Sequence, residues 1–285
     1  MLTEDNPTGT QLFNTSVDIN GKKMIFTLYI NNIETHNGAF MVVPFPLTSL
    51  EDIALIDAST DNIKSFIKNV KNFCDRSKSK SLSLSSISNG SYGILEVYNV
   101  GNYKISIAMD LNQLLKNIDW RIFQKPNDFE SRISVFSNKN IYPFECMYVV
   151  AQTHQNIQND GFGIIYKNPG FMYFPTAHEH HEYEQGQLYD VECYNLRHNS
   201  QKFFSHKKYT NFNKYNQYSI IDHNKYGENN YYNMNKINSL LEKINCKFLS
   251  NSPNINNIKV TKINEIDKIK INGRFENSNI IYINC

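Results

Sequence analysis

At 285 residues, with 40% hydrophobic and 13% aromatic side chains, the chain has enough apolar content to bury a sizeable core and too much to be wholly disordered. The formal net charge is +2 and the five arginines (Arg76, Arg121, Arg132, Arg197, Arg274) form no basic stripe, which argues against a nucleic-acid partner. No apolar run approaches the ~20 residues that span a bilayer, so no membrane partner is expected.

The polar, acidic start from Met1 to Gln11 has neither the basic nor the apolar region of a secretory signal. The five cysteines are far apart and include no Cys-x-x-Cys pair, so reduced thiols and a cytoplasmic location are expected. Asn, Ile, Lys and Tyr are abundant while Ala, Gly, Pro and Arg are scarce, the usage that AT-rich codons produce.

In chain order, Thr15 to Ile19 and Met24 to Ile30 flank Asn20-Gly21 and predict a hairpin. Ala39 to Val43 predicts a strand closed by Pro44-Phe45-Pro46, and Asp52 to Asp57 another. After Asp61 as N-cap, Ile63, Phe66, Ile67, Val70 and Phe73 recur at the spacing of one helix face. Ser77 to Ser91 predicts a loop, with a short strand at Leu82 to Ile87. Gly93 to Val100 and Tyr103 to Met109 predict a second hairpin about Gly101-Asn102.

Asp110 is placed to cap a short helix through Leu111, Leu114, Leu115 and Ile118, with Trp120 after it as a packing anchor. Four runs, Phe144 to Ala151, Gly161 to Tyr166, Phe171 to Phe174 and Leu188 to Tyr194, predict a β-rich middle. From Arg197 to Asn235 the chain is rich in Asn, Tyr and Lys with little periodicity, and short order is expected only at Tyr218 to Ile221. A helix carrying Ile237, Leu240, Leu241 and Ile244 follows, with Asn235 as its cap. Strands at Ile258 to Ile263, Ile269 to Phe275 and Ile280 to Ile283 close the chain, the last two as a hairpin. The fold class expected is α+β: a β-rich antiparallel or mixed sheet core with two or three amphipathic helices. The units expected are a core over 1–196, a low-complexity excursion over 197–235, and a helix with strands over 236–285 packed on the core.

One local cluster has the composition of a site. Residues 178–184 read His-Glu-His-His-Glu-Tyr-Glu. In an extended segment His178 and His180 share a face, because side chains alternate with period two. Two imidazoles and a carboxylate form a donor set for a divalent transition metal, which makes His178, His180 and Glu184 the candidate ligands. The spacing His178-x-His180-x-x-x-Glu184 resembles the first metal motif of the cupins, which implies a small metal-holding β-barrel. Val191 stands where that motif has a glycine, and the second cupin motif is absent. A His-Glu-x-x-His zinc motif is excluded, since Glu182 and Gln185 occupy the closing positions.

Other chemistry has less support. Cys146 or Cys193 with His154 offers a thiol and a base, but without any local signature. Ser91 and Ser134 lack the Gly-x-Ser-x-Gly elbow. Asp57 and Asp61 flank a strand-to-helix turn, where capping is the ordinary role and Mg²⁺ binding the rarer one. Gly161 and Gly163 are not a dinucleotide fingerprint, and there is no P-loop.

A broader resemblance runs from Val43-Pro44-Phe45-Pro46 through Glu51 to Asp57 to Phe174-Pro175-Thr176-Ala177-His178-Glu179-His180 and Leu188-Tyr189-Asp190. In that order of features the chain resembles an uncharacterised family encoded by large DNA viruses of the mimivirus kind and by scattered bacteria. The resemblance covers roughly the first 200 residues and implies no activity. The leading expectation is therefore a non-enzymatic structural or protein-interaction protein, with a protein partner or self-association. The rival is a metal-binding module or metal-dependent enzyme using His178, His180 and Glu184.

Overall fold

The computed structural model describes residues 2–3, 8–34, 38–74, 94–127, 129–139, 141–177, 187–198, 203–205, 220–226, 231–244, 246–249, 258, 262–275 and 280–284. Its strands are β1 (Leu2–Thr3), β2 (Thr8–Ile19), β3 (Lys22–Ile33), β4 (Ala39–Pro46), β5 (Ala54–Asp57), β6 (Tyr98–Val100), β7 (Tyr103–Ala108) and β8 (Cys146–Thr153). There follow β9 (Ile157–Lys167), β10 (Phe171–Phe174), β11 (Gln187–Arg197), β12 (Phe203–Ser205), β13 (Ile220–Tyr226), β14 (Lys247–Phe248), β15 (Glu265–Phe275) and β16 (Ile280–Asn284). The helices are α1 (Asp61–Cys74), α2 (Leu111–Lys116), α3 (Phe129–Arg132) and α4 (Tyr231–Leu241). The class is α+β, as the sequence predicts.

Three sheets organise the described residues: an eight-stranded sheet in the order β13-β15-β11-β2-β3-β9-β5-β14, a five-stranded sheet β1-β4-β8-β7-β6, and a three-stranded sheet β10-β16-β12. Pairing is antiparallel except where β11 runs parallel to β2. Alternation explains how the sheets stack. In β3, Ile25, Tyr29 and Ile33 enter the core shared with the five-stranded sheet. Its intervening residues Met24, Phe26, Leu28 and Ile30 enter a second core beneath α1 and α4. In β8, Met147, Val149 and Ala151 face inward. Cys146, Tyr148 and Val150 face a third core covered by α2, α3 and the turn after it. The result is four layers: helices, large sheet, smaller sheet, helices.

The local signals that held are those with a mechanism. The β2–β3 turn has Asn20 at φ 54° and Gly21 at φ 79°, the left-handed pair that a two-residue hairpin turn needs. Asp110 accepts from the Gln113 amide at 2.8 Å and so caps α2. Ile63, Phe66, Ile67 and Val70 form the buried face of α1, while Phe73 is only partly covered. The residue preceding α1 is Thr60, whose carbonyl accepts from the Lys64 amide at 2.9 Å, so Asp61 is the first helical residue rather than the cap. Trp120 packs edge-on against Phe129 at 4.9 Å, as an anchor.

Further expectations are corrected. The strand β4 continues through Pro44 and Pro46, which pair with Tyr148 and Cys146. The prolines are two apart, so both missing donors fall on one edge, and β1 pairs on the far edge only as far as Val42. The last two strands form no hairpin. Both edges of β15 are taken, by β11 and β13, and β16 joins β10 and β12 instead. Residues 258 and 262–264 are not strand. The backbone of Ile263 is satisfied by the Asn238 side chain, which accepts from its amide at 2.9 Å and donates to its carbonyl at 3.2 Å. Finally, α4 starts four residues before Asn235, which lies inside it and caps nothing. The Asn/Tyr/Lys-rich stretch contributes β12, β13 and the start of α4, and β13 pairs with β15 over seven positions. Ser77 to Ser91 lies outside the described residues.

Candidate functional site

His178, His180 and Glu184 lie outside the described residues. The residues on either side are informative. Strand β10 stops at Phe174, and the Thr176 amide turns back to the Phe174 carbonyl at 2.9 Å across Pro175. Phe174 is buried between the two larger sheets, whereas Ala177 is buried in the outer core beneath α2 and α3. Within three residues the chain therefore passes from the inner core to the outer one.

The thiol–base pair is not assembled. Cys146 opens β8 and His154 follows its far end, roughly 26 Å away at strand rise. Burial pushes the Cys146 thiol up to about 12 and Cys246 up to about 11, and raises Cys193 well above its ordinary value. These thiols are held neutral, the reverse of what a nucleophile requires. At pH 8 the native protein is expected to alkylate at these three positions at least ~100-fold more slowly than a free thiol, with all of them reacting once it is denatured. Peptide mapping reads this, and labelling of Cys146 or Cys193 at the free-thiol rate would contradict the assignment.

The carboxylates at the strand-to-helix turn are also committed. Asp57 Oδ1 accepts from the Ser59 amide at 2.8 Å and from its hydroxyl at 2.5 Å, which shapes the turn into α1. Asp61 is exposed in the first turn of α1, where an acidic side chain complements the helix dipole. Ser134 is exposed, and its carbonyl accepts from the Ser137 hydroxyl. Ser91 lies outside the described residues. Among the described residues no three His, Cys, Asp or Glu side chains converge as metal ligands.

What the sequence reading missed is polar and buried. On the inner face of the large sheet, Asp267 of β15, Asn195 of β11, Asn14 of β2 and Thr27 of β3 are consecutive register partners across four strands. Their exposures are 0%, 3%, 0% and 0%. Asp267 is ion-paired through Oδ2 with Arg197 Nε at 2.7 Å, and the same guanidinium reaches Glu265. Asn14 donates to the Tyr173 carbonyl of β10 at 2.6 Å, which fixes its amide orientation. Among the described residues its Oδ1 meets no donor, and Asn195 Oδ1, Thr27 Oγ1 and the Tyr166 hydroxyl complete no hydrogen bond. Burial raises the Tyr166 phenol, with the nearby Thr27 hydroxyl opposing that rise. A buried polar atom left unmet costs about 1–3 kcal/mol, so leaving this strip unmet is expensive. Phase was the available signal: Asn14 follows Leu12 by two, Asn195 follows Cys193 by two, and Asp267 precedes Ile269 by two, each on the inward parity of its strand.

No family model matches the chain, and no curated protein matches it either. Among solved structures, the crystal structure of baculovirus P35 resembles it at 14% identity, over 100% of this chain and 99% of that one, with a TM-score of 0.45. That score lies below the level at which a shared fold follows. No helix among the described residues is long and apolar enough to cross a membrane.

Proposed function

We propose that the chain is a non-enzymatic structural or protein-interaction protein, acting in the cytoplasm and of viral origin. The observation that carries this reading is the engagement of the chemically capable groups among the described residues in holding the fold. Cys146 and Cys193 are buried and kept neutral, and Asp57 makes a turn. In extracts of cells that make it naturally, gel filtration is expected to place it in a complex larger than one chain. Elution as a single chain under every condition of salt and concentration would count against the reading.

A second reading keeps the metal donors. Ala177, directly before His178, is 1% exposed, so the donor-bearing segment leaves from packed core rather than from a free tip. On this reading His178, His180 and Glu184 bind a divalent transition metal. Elemental analysis of untagged protein tests it: about one equivalent of metal, lost in His178→Ala/His180→Ala, supports the site, and less than roughly a tenth of an equivalent rejects it.

A further inference from the structure

Among the described residues, four polar atoms on the inner face of the large sheet complete no hydrogen bond, and they are contiguous. Asn195 and Asn14 are register partners, Asn14 and Thr27 are register partners, and Tyr166 is the diagonal neighbour of Thr27, since Thr27 pairs with Ile164 two residues before it. At a strand spacing of ~4.8 Å the strip crosses roughly 15 Å of sheet. The aromatic lid over it is in place: Phe45 of β4 lies 5.6 Å from the Tyr166 ring and 6.3 Å from the Tyr173 ring. Unmet atoms scattered through a core are ordinary packing faults, but four on neighbouring positions of adjacent strands together rival the stability of a whole domain.

We propose that this strip is the wall of an internal hydration site, which holds ordered water between the large sheet and the cover formed by β4 and β10. The chemistry selects the guest. Asn14 Oδ1 and Asn195 Oδ1 only accept, whereas the Thr27 and Tyr166 hydroxyls both donate and accept, so the guest must donate twice and accept at least once. Water is the smallest molecule that both donates twice and accepts, and a buried water ordinarily makes about three such bonds. Arg197 and Asp267 close the strip at its β15 end with an ion pair.

Two substitutions that keep shape and delete a hydroxyl test the proposal: Thr27→Val and Tyr166→Phe. If each hydroxyl is bonded to water, each variant lowers Tm by about 2–4 °C, and Thr27→Val/Tyr166→Phe lowers it by about the sum. If the hydroxyls are merely unmet, deletion leaves Tm unchanged or raises it, and the proposal is overturned. If they bond only to each other, the double variant costs no more than either single one, and the proposal is overturned equally. A high-resolution crystal structure reads the same site directly: water within about 3.3 Å of both Asn14 Oδ1 and Asn195 Oδ1 is the expected result, and a protein donor on either oxygen contradicts it.

Discussion

Among the glycines whose surroundings are described, Gly161→Ala is expected to be the most damaging substitution. A Cβ at this position would stand 1.8 Å from the Tyr29 carbonyl oxygen and 2.8 Å from its carbon. Both are backbone atoms of β3, the strand on which β9 is registered with Ile30 opposite Gly161. No rotamer change relieves a contact with backbone, so the two central strands must part. Both faces of this pair carry core, and a cost above about 4 kcal/mol is expected, against roughly 5–15 kcal/mol for a whole domain. The variant should therefore be recovered largely unfolded, or melt more than ~10 °C below the parent. Gly170→Ala is the control. It sits at φ 90° with nothing within 4 Å of an added Cβ, so it meets backbone strain alone, about 1 kcal/mol. Equal melting of the two variants would mean that β3 and β9 do not approach as described.

The second large effect concerns the buried ion pair. Asp267 is fully buried and Arg197 nearly so, with side-chain exposures of 0% and 8%. Removing one partner of such a pair costs about 3–5 kcal/mol, because the other charge remains in a poor solvent. Glu265, 45% exposed and on the same guanidinium, offsets part of that loss. Asp267→Ala is thus expected near the lower end, with a fall in Tm of about 6–12 °C. Arg197→Met/Asp267→Leu should recover most of it, since apolar replacement of both partners removes the desolvation as well as the attraction. Chemical denaturation of the two variants measures this, and a double variant less stable than Asp267→Ala would show that the polar pair is intrinsically favourable.

The contrast between these two sites describes what was legible in the sequence. The hairpin at Asn20-Gly21, the α1 stripe and the Asp110 cap each have a local cause that falls within a dozen residues, so they could be read. Pairings set at long range could not. The parallel match of β11 with β2 joins residues some 180 apart, and the separation of β15 from β16 depends on which edges other strands already hold. The buried strip was hidden by composition. In a chain biased toward asparagine, Asn14 and Asn195 look like solvated surface until their strand phase is known. The one dense cluster of potential ligands, His178, His180 and Glu184, was legible as chemistry, but its geometry lies outside the described residues.

A scaffold that binds protein is tested most directly by stoichiometric affinity capture of this chain. Captured under native conditions in excess chelator, it is expected to bring down one polypeptide, or a second copy of itself, in near-integer ratio. Recovery of the chain alone, together with a transition metal retained at one equivalent in the absence of chelator, would contradict a scaffold role and favour the metal centre at His178, His180 and Glu184.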